Sequence, residues 1–329
     1  MGSDVSRLHQ LYIRLGLVPI MLVVLVVVFS LVVPHFLALP NILNVLRSSS
    51  YLVILAVGQM LVLMVGGFDL SVGAVVALTS VSSALVMAGL KNDMADAPGL
   101  MIVAGVATGL GCGFLVGLVN GLCVAFLRVS PFMVTLGTAS IATGIALSLT
   151  SGIPVYGMPV EYVEGFGRAL WFQLPPAVYL AVAVVAVVFI LQNYTYIGRY
   201  IVAIGGNLQA AVVSGVRTRL YIVSAYVLCS VFASISGLAL TAQIGSGQAA
   251  ISTQLTLESI AAAVIAGVSL RGGVGRVEIV ALGAVFLLLL TNAMDLLTID
   301  PRIQTVFLGV IVVMAGALDV ISKRRSSVA

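Results

Sequence analysis

The side chains in this sequence that could do chemistry are few and mostly uncharged. Gly66-Gly67-Phe68-Asp69-Leu70-Ser71 interrupts an apolar stretch with a helix-breaking glycine pair, a carboxylate and a hydroxyl. Gln59, Asn120, Thr135, Thr138 and Gln243 place amides and hydroxyls in or near apolar runs. Glu258 opens a short apolar segment. Such groups can hydrogen-bond one another across helices, or they can serve a neutral hydroxylated solute. Asp69 has two compatible readings. It can cap the helix that follows, with Ser71 helping to satisfy the free amides. It can also mark a broken helix that exposes backbone groups to a transport cavity. For Glu258, helix-dipole stabilisation competes with a role in transport.

Other chemistries lack their residues. The sequence has no Walker A loop, HExxH, GxSxG or placeable Ser/His/Asp set. His9 and His35 lie near the ends of apolar runs. Metal-ligand spacing is absent, and so is CxxC. Cys112 and Cys123 share one expected helix, too far apart along its axis to bridge. No Asp/Glu/His relay, arginine ladder or carbonyl-filter motif crosses an apolar run. Energy for any transport must come from elsewhere.

The elements that position these residues are membrane helices. Hydrophobic residues fill 61% of 329 positions, charged residues 8%, and mean hydropathy is +1.23. Soluble domains carry roughly 25% charged residues. The sequence therefore describes an all-α polytopic membrane protein of one domain. Net charge is +4 and the isoelectric point about 9.1, yet the basic residues form no stripe and do not interleave with aromatics. A nucleic-acid surface is excluded on that ground.

About ten transmembrane or partly spanning helices are expected, at roughly 20 residues per full span. They cover Gly16–Val33, Ile42–Val65, Leu70–Leu90, Gly99–Leu127, Phe132–Thr150, Pro175–Leu191, Leu220–Ala242, Glu258–Leu270, Val277–Met294 and Ile303–Ile321. Gly16–Val33 resembles a signal-peptide core, but PHFLALPN offers no small-residue cleavage site, so it reads as an uncleaved span. Glu258–Leu270 is too short to cross at full thickness. Residues 1–15 form an N-terminal tail, 16–322 the transmembrane domain and 323–329 a C-terminal tail. With both tails inside, eleven of the 15 Lys and Arg fall on the cytoplasmic side; Arg47, Lys91, Arg168 and Arg302 fall outside. Ser151–Leu174 is the largest outer loop, and Gln243–Leu257 is a small-residue outer segment.

Two further stretches look structured. Gly105, Gly109, Gly113, Gly117 and Gly121 recur every four residues and give one smooth helix face. Tight helix packing explains that face; a moving interface or pore wall is the alternative. Tyr196–Tyr221 carries Arg199, Arg217 and Arg219 and no acid, which places it on the cytoplasmic face. Within it Gly205-Gly206-Asn207 reads as a turn. Asn207 would cap a short helix, Leu208–Val213, that ends at Gly215. A short exposed helix between two spans is suited to gripping a soluble partner.

GGFDLSVGAVVAL, NGLCVAFLRVSPFMVTLGTASIATGIAL, IGRYIVAIGGNLQAAVVSGV, LESIAAAVIAGVSLRGGVGRV and the closing run to LDVISKRR occur in that order from Asn41 to Arg325. Together they resemble the inner-membrane permease of ribose-type ABC sugar importers. Gln209-Ala210-Ala211, then Val212-Val213-Ser214 and Gly215, is similar to the EAA-x-x-x-G loop of such permeases, with Gln in place of Glu. The resemblance implies a multi-pass inner-membrane permease, working with a second copy of itself, a cytoplasmic ATPase and a periplasmic sugar-binding protein. ATP and Mg would sit on the ATPase, with no cofactor, metal or catalytic residue on this chain. It further implies that residues 196–219 are the coupling loop, with Asn207, Gln209, Ala210, Ala211, Ser214 and Gly215 against the ATPase. Gln59, Gly67, Asp69, Ser71, Asn120, Thr135, Thr138 and Glu258 are then candidates for the translocation path or its gate. The competing reading is a self-sufficient secondary transporter or channel, for which Asp69 or Glu258 would be the coupling-ion site.

Overall fold

The computed structural model describes residues 17–94, 96–251 and 253–326; the tail expected over residues 1–15 lies outside them. Each expected apolar segment is helical. In order, α1 is Val18–Val32, α2 Leu39–Met64, α3 Val72–Gly89, α4 Pro98–Ala125 and α5 Pro131–Thr150. The short α6, Val160–Tyr162, runs into a π-helical turn over Val163–Arg168. Then follow α7 Pro176–Tyr194, α8 Tyr196–Gly206, α9 Leu208–Val213, α10 Thr218–Ile244, α11 Thr253–Ile265, α12 Val277–Leu296 and α13 Pro301–Ser326. Among the described residues, α2, α3, α4, α5, α7, α10 and α12 are long and apolar enough to cross a membrane. The helices α1, α11 and α13 contribute shorter apolar stretches. Proline opens six of these helices, at a position whose amide needs no intrahelical partner.

The organising helix is α10, which packs on α4, α2 and α3. Its contact with α4 runs along the glycine row, which is therefore a packing face. A Cβ at Gly113 would sit 2.6 Å from the Ser230 carbonyl, one at Gly117 2.7 Å from that of Tyr226, and one at Gly121 2.8 Å from the Val223 Cα. Gly105 and Gly109 meet α3 in the same way, at Ser83, Met87 and Thr79. On the other side of α10, α2, α7, α11 and α12 build the largest core, rich in Val, Ala and Leu.

Several expected boundaries move. Gly205 and Gly206 are not a turn; they are the last two residues of α8, and the chain changes direction at Asn207. Glu258 does not open its helix: α11 begins at Thr253, so Glu258 lies in its second turn, beyond the reach of the N-terminal dipole. The Ser151–Leu174 loop contains α6 and the π-helical turn, and Gly167 of that turn lies against the backbone of Ala242. Tyr162 donates to the Leu238 carbonyl at 2.6 Å. Burial pushes its phenol further above the ordinary tyrosine range. Arg168 pairs with Glu164 at 2.7 Å and receives a bond from Arg47 on its carbonyl. The Gln243–Leu257 segment is no simple outer loop either. Gln243 and Ile244 belong to α10, Gly247 pairs with Val155, and Ser80 Oγ accepts from the Gln248 amide. The segment thus folds back onto α3.

If the glycine face sets the α4–α10 distance, Gly117→Ala should destabilise the protein by about 1–3 kcal/mol through overpacking. Gly111→Ala, on the same helix with nothing near its added Cβ, should leave stability unchanged or raise it by up to about 1 kcal/mol. Thermal melting of the two variants in detergent, followed by size-exclusion fluorescence, reads the difference; equal melting would show that the face is not limiting.

Candidate functional site

Most of the sequence-derived gate residues converge where α2 gives way to α3. Gly66 ends α2 with φ of 78°, and its amide bonds to Leu63 while the Gly67 amide bonds to Val62. This is a Schellman cap, and the left-handed residue it needs is why glycine stands there. A Cβ at Gly67 would overlap the hydroxyl of Tyr226, so α10 lies directly on the break. Asp69 is buried within it and does not occupy the cap position of α3. Ser71 does. Asp69 Oδ1 instead accepts from the Ser71 amide at 2.8 Å and from its hydroxyl at 2.6 Å, which holds the turn into α3. The Gly73 amide, one of the orphans at the start of α3, donates to Thr256 Oγ1 of α11 at 2.9 Å.

From Ser71 a chain of hydrogen bonds crosses two more helices. Asn120 of α4 donates to Ser71 Oγ at 2.9 Å, and Thr138 of α5 donates to Asn120 Oδ1 at 2.7 Å. Thr135, one turn earlier on α5, reaches the Phe68 carbonyl at 3.4 Å, as does the Tyr226 hydroxyl from α10. Gln59 stands on the other flank. Its carbonyl faces the Cys229 thiol at 4.0 Å, and that thiol also reaches Asp69. Gln59 Nε2 and Asp69 Oδ2 meet no strong partner among the described residues. Gln59, Asp69, Ser71, Asn120 and Thr135 are fully buried. The arrangement thus ties α3, α4, α5 and α10 together at one level. Glu258 stands apart from it: it lies half-buried on α11. Among the described residues no group of three His, Cys, Asp or Glu is placed to hold a metal ion.

Below the break lies a cavity of about 910 Å³. Gly66 and Gly67 line one side, Leu208, Gln209 and Val212 of α9 another, and Arg128, Arg217 and Arg219 the rim. Among the described residues no carboxylate lines it, and Arg219 stacks over the Phe126 ring at 5.4 Å. The helix α9 has the capping expected of it. Asn207 Oδ1 accepts from the Ala210 amide at 3.0 Å, and Gly215, with φ of 79°, closes a second Schellman cap. Ala211 is buried underneath, while Gln209, Ala210, Ser214 and the aliphatic Leu208, Val212 and Val213 are exposed. A tyrosine cluster, Tyr196, Tyr200 and Tyr221, ties α8 to the start of α10.

Comparison with known proteins adds the family. Residues 41–316 match the model for the branched-chain amino acid transport system permease component. The chain belongs to that family. It is 33% identical over 326 residues to the galactose/methyl galactoside import permease protein MglC of Escherichia coli K12, covering 95% of this chain and 96% of that one. It is 35% identical over 320 residues to the ribose import permease protein RbsC of Bacillus subtilis 168, covering 96% of each. The D-allose transport system permease protein AlsC of E. coli K12 is 31% identical over 300 residues, covering 91% of this chain and 89% of that one. No solved structure matches. This permease is a multi-pass protein of the inner membrane.

The residues alone do not point to Tyr226 or Thr256 as partners in this cluster, and they offer Cys229 only as an unpaired thiol on a separate helix. Tyr226 and Cys229 sit in apolar sequence and look like ordinary core. Thr256 shows a hint only in retrospect, as a hydroxyl in a segment too short to span.

If Asn120 and Thr138 act as one bonded unit, a double-mutant cycle of Asn120→Ala and Thr138→Ala should give a coupling energy of roughly 0.6–1.7 kcal/mol in detergent melts. Pairing Thr138→Ala with Thr79→Ala, whose hydroxyl bonds Ser234 instead, should be additive. Additivity in both cycles would break the network into unrelated contacts.

Proposed function

We propose that this permease carries a monosaccharide or related small polar solute from periplasm to cytoplasm, as the membrane subunit of an ATP-binding cassette importer. The observation that carries the reading is α9. It is capped at both ends, anchored through Ala211, and presents Leu208, Val212 and Val213 to solvent beside three arginines. Exposed aliphatic groups on a rigid helix outside the apolar spans need a protein partner, and the relatives are named import permeases for galactose/methyl galactoside and for ribose, and a transport system permease for D-allose. The partner is a cytoplasmic ATPase that holds ATP and Mg, and residues 196–219 are its coupling loop. Arg128, Arg217 and Arg219 at this end support a cytoplasmic orientation for it. A second copy of the chain completes the path, and a periplasmic sugar-binding protein docks on the opposite end, over Ser151–Leu174 and Gln243–Leu257.

In this mechanism the cluster from Gln59 to Thr138 is the gate. Its amides and hydroxyls bond one another while closed, and the same groups suit the hydroxyls of a neutral sugar once the helices part. ATP supplies the difference in free energy between the two states through α9, because a solute alone shifts the equilibrium only by its differential affinity. The chain is thus a transport subunit with no catalytic residue of its own.

Gly215→Val should separate this reading from its rival. A β-branched residue at that left-handed position costs about 1–2 kcal/mol, whereas Gly215→Asn is compatible with it. An ATPase should co-purify from native membranes with the wild type and Gly215→Asn. It should be weakened or lost with Gly215→Val, with uptake abolished and membrane insertion intact. Uptake at the wild-type rate by Gly215→Val would remove the coupling role. Absence of any ATPase in gentle detergents, together with solute movement by the chain alone in liposomes, would establish a secondary transporter and make Asp69 and Glu258 the sites to test.

A further inference from the structure

One glycine contact belongs neither to the helix-packing face nor to the caps. The last carbonyl of α2, on Met64, accepts from the Gly273 amide at 2.9 Å, across the loop between α11 and α12. Gly205 of α8 is wedged against the same carbonyl: a Cβ there would overlap Met64 O and crowd the Gly273 amide. Gly272 closes the third side, where a Cβ would stand 2.9 Å from the Gly205 Cα and 3.0 Å from the Gly66 amide. Gln192 pins the joint from the end of α7. Its Nε2 donates to the Gly275 carbonyl, and its Oε1 accepts from the Val277 amide at 3.2 Å. Three chain segments remote in sequence therefore meet backbone to backbone, with no side chain between them to deform.

The position of this joint gives it a use. Gly205 lies two residues before Asn207, the cap of α9. Met64 lies five residues before Asp69, and the intervening chain is the capped break under Tyr226. We propose that Gly205, Gly272 and the Met64 carbonyl, held by Gln192, form the rigid link that carries displacement of α9 into the Asp69 cluster. Close-packed contacts with no compressible side chain transmit strain, and a shift of the Met64 carbonyl moves the turn that Asp69 and Ser71 hold. The link rests on the ATPase-driven reading above and names the positioning residues of that coupling. Gly206, one residue on, serves as the internal control, since nothing lies within 4 Å of an added Cβ.

The buried thiol of Cys229, inside the cluster, is a native reporter. In a Cys112→Ser, Cys123→Ser background the full complex with its ATPase would be placed in lipid nanodiscs. Cys229 labelling by N-ethylmaleimide would then be timed without nucleotide and with ATP plus vanadate. The labelling rate should depend on nucleotide in this background and in Gly206→Ala. The dependence should be lost in Gly205→Ala and reduced in Gln192→Ala, which adds no volume and lies outside the coupling loop, so that in Gln192→Ala the ATPase still co-purifies and hydrolyses ATP. Full nucleotide dependence in Gly205→Ala and Gln192→Ala would overturn the link, as would a Cys229 rate indifferent to nucleotide in the unaltered joint. If no ATPase co-purifies even with the wild type, the ATP-driven reading itself falls and the link falls with it.

Discussion

Contact between the backbones of α4 and α10 is the constraint on which the rest depends. Lipid supplies no hydrophobic force to press two helices together, so their association comes from close van der Waals fit and hydrogen bonds. The glycines at four-residue spacing on α4 provide the fit by leaving nothing in the way. Once α10 is seated there, Tyr226 falls over Gly67, Cys229 falls between Gln59 and Asp69, and Ser234 meets Thr79. The polar cluster is thus a consequence of where α10 lies.

The second constraint is that a chain interrupted in apolar surroundings must still satisfy its backbone. The break between α2 and α3 does so in two ways: the Schellman cap consumes the carbonyls of Val62 and Leu63, and Thr256 and Asp69 take amides at the start of α3. The Met64 carbonyl is left over, and the Gly273 amide takes it. That last bond brings the α11–α12 loop, and with it α8, to the base of the Asp69 cluster. Asn120 and Thr138 repeat the logic one layer away: each is costly alone in an apolar setting, and each satisfies the other.

What could be read from the sequence was what depends on neighbours a few residues apart. Asn207 and Gly215 bracket α9 because caps are local chemistry, and both ends stand where the residues placed them. The glycine row announced a packing face for the same reason. Asp69 stands two residues before the cap position that Ser71 holds, yet its carboxylate accepts the Ser71 amide, so a capping bond forms from outside the cap position itself. Gly205-Gly206 looked like a turn because glycine pairs usually are; the contact that demands glycine there is with Met64, far away in sequence. Glu258 was placed at a helix start for want of any sign that Thr253 and Gln254 begin the helix earlier. Gln192, Tyr226 and Cys229 acquire their roles only through partners more than eighty residues distant, and one sequence holds no record of such pairings.

The glycine face of α4 also bears on how this protein can change over time. At Gly117 and Gly121 the requirement is the absence of a side chain, and there is no conservative replacement: the smallest possible step, to alanine, already meets the α10 backbone. A smaller side chain opposite could make room at Gly109, whose nearest atoms are side chain, but not at these two, where the nearest atoms are main chain. Variation is therefore driven to the outward faces of α4, α5 and α7, whose spanning stretches are only 22%, 17% and 22% buried. New oligomeric contacts, lipid preferences and adaptations to membrane thickness can arise on those faces while the α4–α10 pair stays as it is.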